Sequence, residues 1–108
     1  MNYNAQRDYV NENNPFMQQC GILVTQVDKD TSTAELSVSP DAFNPGGTLH
    51  GGAIYTLADA AATTAARTDG YRYATIDGSI QYHRAVTSGR VIATATIRHR
   101  GRDRKSVV

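Results

Sequence analysis

The sequence predicts an α+β domain in which strands wrap a single long helix. Residues 52–68 carry the helix: Ile54, Leu57, Ala58, Ala61 and Ala65 recur at three- and four-residue spacing in an alanine-rich stretch. Pairs of β-branched, apolar segments separated by turn residues flank it on both sides. A helix whose apolar stripe is narrow and built of small residues lets surrounding backbone come close, which suits a curling sheet better than a second helix.

Taken in order, residues 3–12 read as a short polar helix stopped at Asn13-Asn14-Pro15, because a residue before proline is pushed out of the helical region. Residues 21–27 and 33–38 read as a hairpin about a turn at 28–31. Residues 39–48, with two prolines and two adjacent glycines, form a loop. After the helix, residues 73–83 and 91–99 both read as strands, joined by a turn at Ser88-Gly89, and a further strand begins near Arg104. No internal repeat or low-complexity tract is visible.

At 108 residues the chain fits one domain, and so small a domain buries only about 60 to 70% of the surface its unfolded chain exposes. A partner subunit would help it. Charged residues make up 19% and the formal net charge is +1, which gives no global reason to expect nucleic-acid binding. The single cysteine, Cys20, reads as a buried apolar residue and cannot close an internal disulfide. With three histidines and no Cys/His cluster at zinc-site spacing, neither a metal nor a redox cofactor is expected. The N-terminus is polar and no apolar run is long enough to span a bilayer, so a cytoplasmic protein without membrane contact is expected.

The chemistry gathers between Asn44 and Thr63. Gly51 and Gly52 stand where the helix begins, so their N–H groups lack intrahelical acceptors and can bind an oxyanion or a polarised carbonyl. Asp59 lies off the apolar stripe, on the same side as Tyr55 and one turn before Thr63. A carboxylate in mid-helix gains little from the helix dipole, which favours acids in the first turn. A solvated helix face is the bland alternative; a base or nucleophile oriented by a hydroxyl is the functional one. Thr63 can equally bond back to its own helix, and His50 alone could be a capping residue.

The run from Asn44 to Asp59, with Leu49-His50-Gly51-Gly52 and Leu57-Ala58-Asp59, resembles the signature of the PaaI-type (phenylacetic acid degradation) thioesterases of the hotdog superfamily. Asn14-Pro15-Phe16, Cys20-Gly21-Ile22, Thr75-Ile76-Asp77 and Tyr82-His83-Arg84-Ala85 extend the resemblance over nearly the whole chain. It implies an antiparallel sheet around the helix and a homodimer, or dimer of dimers, with active sites at the subunit interface. Asn44, His50 and the Gly51 N–H would come from one subunit and Asp59 from the other. Gly52, Thr75, where the family has a serine or threonine, and Arg84 would stand on the substrate side. The family's members usually continue through further strands, so a strand begun at Arg104 would leave an unpaired edge and a less stable subunit.

Arg98, Arg100, Arg102, Arg104 and Lys105 supply five of the eleven Lys and Arg residues. Such a run is commonly a solvated hairpin tip, and a nucleic-acid site would want interleaved aromatics. In a protein of this family Arg100, Arg102 and Arg104 could instead pair with the phosphates of CoA. The function expected is hydrolysis of an acyl-CoA thioester to a free acid. A non-catalytic acyl-CoA-binding module is the alternative from another class, and a hydratase on the same fold is a third.

Overall fold

The computed structural model describes residues 2–101 and the backbone of 105–107. Helix α1 (Tyr3–Asn13) starts under an asparagine cap, with Asn2 Oδ1 accepting from the Ala5 N–H at 3.0 Å. It ends where Pro15 forces Asn14 out of helical geometry (φ −116°, ψ 87°). The same proline occupies the first turn of a second helix, α2 (Pro15–Gln19), which Asn14 caps through the Met17 N–H. The Asn-Pro pair is therefore a stop and a start, and only the stop was expected from sequence. Val10 and Met17 carry the two helices into the core.

Strands β1 (Ile22–Asp28) and β2 (Thr31–Ser37) form the expected hairpin, Asp28 pairing with Thr31 and Ile22 with Leu36. Asp30 makes the turn with a left-handed φ of 61°. The Asn11 side chain docks α1 on β1, its Nδ2 donating to the Val24 C=O and its Oδ1 accepting the Val24 N–H, both at 2.8 Å.

Helix α3 (Gly51–Ala66) is the predicted central helix, continued by a 3₁₀ turn at Arg67–Asp69 and closed on Gly70 (φ 89°). Strands β3 (Arg90–Arg100) and β4 (Lys105–Val107) complete an antiparallel sheet of order β1-β2-β3-β4. Ser32, Ala34 and Leu36 of β2 and Ala95 of β3 face Ala53, Leu57, Ala61 and Ala65 of α3, all buried. The alanines allow the close approach, and the buried Ser32 hydroxyl donates directly to the Ala61 carbonyl at 2.5 Å.

Residues 73–83 do not form the expected strand: residues 70–89 contain neither helix nor strand and pair with none of the four described strands. Alternating β-branched residues establish a strand only when a neighbouring strand accepts the backbone hydrogen bonds. Here the segment runs along α3 instead. Among the described residues, no helix is long and apolar enough to cross a membrane.

Candidate active site

The loop before α3 is organised by Asn44. Its backbone N–H donates to the Thr48 C=O at 2.8 Å, its Nδ2 donates to Thr48 Oγ1 at 2.8 Å, and its Oδ1 accepts the Thr48 N–H at 3.2 Å. Both ends of its amide are thus engaged in closing the loop, whose tight reversal places Gly47 at φ 81°. The His50 N–H donates to Ala42 C=O and the Leu49 N–H to Val86 C=O, each at 2.8 Å, which fixes the approach to the helix.

His50 is the N-cap of α3, and its Nδ1 accepts the Gly52 N–H at 2.7 Å. With Nδ1 accepting, the proton of the neutral ring sits on Nε2, on a side chain exposed to solvent. The cap separates the two glycines that the sequence treats alike. The Gly52 N–H is occupied by histidine, whereas the Gly51 N–H has no acceptor among the described residues. Gly51 therefore keeps an available N–H at the start of the helix, and Gly52 holds the cap. A side chain at Gly52 would come within 2.9 Å of His50 Nδ1.

Asp59 is half-buried on α3, and Thr75 Oγ1 donates to its Oδ1 at 2.6 Å. Its Oδ2 accepts no hydrogen bond among the described residues. The expected pairing of Asp59 with Thr63 does not form through the carboxylate: the Thr63 hydroxyl donates to the Asp59 backbone C=O at 2.8 Å, as hydroxyls in mid-helix commonly do. The hydroxyl bonded to the carboxylate is that of Thr75, which the family pattern placed on the substrate side and helical spacing did not connect with Asp59.

Residues 75–82 run antiparallel to α3 over one helix face. Thr75 meets Asp59; Gly78 lies against the Tyr55 hydroxyl so closely that any side chain would collide with it; Tyr82 Oη donates to the Gly51 C=O at 2.9 Å. Gly51, Tyr55 and Asp59 stand four residues apart, and so share that face. Sequence reasoning gave Tyr82 no role at the site; the signal lay only in a chain reversal that the expected strand obscured.

The basic run is divided. A register shift between Ile97 and His99 turns Arg100 inward, where a regular strand would alternate it outward. Its guanidinium donates to Asp30 Oδ1 and Asp69 Oδ2, each at 2.9 Å, to the Ala66 and Ala65 carbonyls at 3.0 and 3.2 Å, and to Thr68 Oγ1 at 3.2 Å. Arg100 thus caps the C-terminus of α3, a position that favours a cation, and is not available to phosphate as expected. Arg84 is exposed, and Arg102 and Arg104 lie outside the described residues. Asp69 also accepts from Tyr73 Oη, and burial, together with that bond and the carboxylate's charge, raises the Tyr73 pKa above its ordinary 10.0. No group of three or more His, Cys, Asp or Glu able to hold a metal occurs among the described residues.

A long helix held in the curl of an antiparallel sheet, with a glycine-rich entry and a carboxylate about two turns along, belongs to the hotdog class of thioesterases. The sequence profile of the Thioesterase superfamily matches residues 46–107, and the chain belongs to that superfamily. Among solved structures it is similar to the PaaI protein of the Escherichia coli phenylacetic acid degradation operon, at 25% identity and TM-score 0.84 over 92% of this chain and 72% of that one. It is 31% identical to a mutant of PaaI from Thermus thermophilus, with TM-score 0.78 over 88% of this chain and 86% of that one. A thioesterase from Haemophilus influenzae gives 26% identity and TM-score 0.77 over 89% and 71%. The PaaI-type resemblance thus holds, and the family places the chain among thioester hydrolases.

Proposed function

We propose that the protein hydrolyses acyl-CoA thioesters to a free carboxylic acid and CoA, with Asp59 supplying the carboxylate and the Gly51 N–H binding the thioester oxygen. The observation that carries this reading is the Thr75–Asp59 hydrogen bond. One carboxylate oxygen is fixed at 2.6 Å while the other stays available to a water or to the carbonyl carbon. In the water route, Oδ2 takes a proton as the water oxygen attacks the carbonyl carbon. The negative charge on the carbonyl oxygen meets the Gly51 N–H, the C–S bond breaks, and CoA leaves as the thiol. In direct attack Asp59 forms an anhydride that water then opens. Under single turnover in heavy-oxygen water, the first route labels only the product acid, and label in Asp59 marks an anhydride opened by water at the aspartyl carbon.

Both groups cannot serve one carbonyl within one chain. Gly51 and Asp59 are eight residues apart on the same helix, about 12 Å along its axis at ~1.5 Å per residue. Contacts of ~3 Å to one carbonyl need them much closer. A second copy running antiparallel would bring the Gly51 of one subunit to the Asp59 of the other, so a homodimer, or a dimer of dimers, is part of the proposal. Arg84, which is exposed, is offered for the CoA phosphates in place of Arg100.

The test is thiol release from a panel of aryl, short and long acyl-CoAs, with arylacetyl-CoA first because of the operon to which the Escherichia coli relative belongs. Turnover of at least one member, abolished by dilution below the dimer dissociation constant, is expected. Absence of release from every member overturns the reading, and a stable active monomer in sedimentation overturns the shared site.

A further inference from the structure

Resting on that reading, we propose that Tyr82 is a positioning residue that holds Gly51 still where the thioester carbonyl binds. Gly51 is the first residue of α3, followed by another glycine. Two successive glycines without a Cβ have the greatest backbone freedom of any pair, and the first turn of a helix has the fewest hydrogen bonds to restrain it. A donor placed there is useful only if its direction is fixed beforehand, since reorganisation during the reaction would cancel its benefit.

Two external groups supply the restraint. His50 Nδ1 takes the Gly52 N–H at 2.7 Å. Tyr82 Oη donates to the Gly51 C=O at 2.9 Å. The tyrosine ring adds a second contact: the position a Gly51 Cβ would occupy lies 3.3 Å from Tyr82 Cζ, 3.4 Å from its Oη and 3.5 Å from Cε1, so the ring covers the Gly51 Cα. A side chain that is 52% exposed contributes little to the hydrophobic core, so its contacts with Gly51 are not a by-product of core packing. Tyr82 does not touch the reacting atoms in this arrangement. It acts through the peptide that carries them, and it does so from the same segment whose Thr75 orients Asp59. Within one subunit, residues 75–82 thereby set the carbonyl-binding half of one shared site and the carboxylate half of the other.

Tyr82→Phe keeps the ring and removes the donor; Tyr82→Ala removes both. For Tyr82→Phe, kcat should fall by about tenfold or less, the scale of one neutral hydrogen bond, with KM nearly unchanged. For Tyr82→Ala the fall should be larger, while the thermal midpoint of Tyr82→Phe stays at the wild-type value. A purely structural tyrosine would instead move the thermal midpoint and leave kcat per folded molecule unaltered, which would overturn the proposal. A readout independent of turnover is the ¹⁵N heteronuclear NOE of Gly51, which should drop in Tyr82→Ala, with a changed Gly51 carbonyl shift in Tyr82→Phe. Gly51 signals identical to wild type in both variants would overturn it whatever the activity. If the wild-type protein released no thiol from any acyl-CoA while Gly51 lost order in Tyr82→Ala, the hold on Gly51 would stand and the thioesterase reading would fall.

Discussion

Thr75 and Asp59, sixteen residues apart in sequence, are joined by a 2.6 Å hydrogen bond that fixes one carboxylate oxygen and leaves the other open. Thr75→Val keeps the shape and removes the donor. The expected result is a fall in kcat of about tenfold, from loss of one charge-assisted hydrogen bond, with KM little changed. Steady-state kinetics on the best acyl-CoA checks this, and an unchanged kcat would show that the bond does not orient the carboxylate.

Asp59→Asn preserves size and most hydrogen bonding while removing the charge. Turnover should fall by ~10² or more, the scale of a general base, while acyl-CoA still binds and the protein still associates. Native rates on every substrate from a folded, associated variant would displace Asp59 from the site.

For Arg100 the structure leads to a loss of stability rather than of affinity. Arg100→Met removes the ion pairs to Asp30 and Asp69 and takes one donor from each of the Ala65 and Ala66 carbonyls, Ala65 keeping the Thr68 hydroxyl. Urea unfolding should register a loss of about 2 kcal/mol, since part of each interaction is screened by solvent. KM for acyl-CoA should not move. A selective rise in KM for CoA thioesters, with stability intact, would return Arg100 to the phosphates.

The Tyr73 phenol has a raised pKa, so the unfolded chain loses this proton before the folded one does. Its contribution to stability is present below the ordinary value of 10.0 and is lost as pH rises through the folded value. Subtracting the tyrosinate absorbance titration of Tyr73→Phe from that of the wild type should isolate an ionisation with a midpoint above 10.0. A midpoint at or below it would remove the Asp69 contact as a significant restraint.

The hairpin and α3 were legible because each is decided by nearby residues: Asp28 to Thr31 supply a turn, and alanine at helical spacing supplies a helix whatever surrounds it. Residues 73–83 were not, because a strand needs a neighbour and the composition of one segment cannot show whether it has one. The same difference runs through the site. Gly51 and Asp59 stood out from their positions on one helix. Family likeness singled out Thr75 only as a substrate-side residue, and neither its contact with Asp59 nor that of Tyr82 with Gly51 was indicated by the spacing. Arg100 misled for a related reason: a local shift in strand register decides which way it faces, and charge density carries no record of that. Thr63 shows the limit of helical spacing itself, which puts a hydroxyl one turn from a carboxylate without deciding whether it bonds the side chain or the backbone.

The two hydrogen bonds from Asn11 to Val24 bear on how the protein behaves at high concentration. The outer side of β1 would otherwise present a bare N–H and C=O at Val24 to any extended chain drifting past, a template for unwanted sheet growth. An amide side chain satisfies both groups at once and belongs to a helix that cannot itself continue the sheet. Asn11→Leu should therefore keep much of the packing of α1 yet make the protein prone to form aggregates rich in intermolecular β-structure, a solubility defect that originates at one residue of the edge strand.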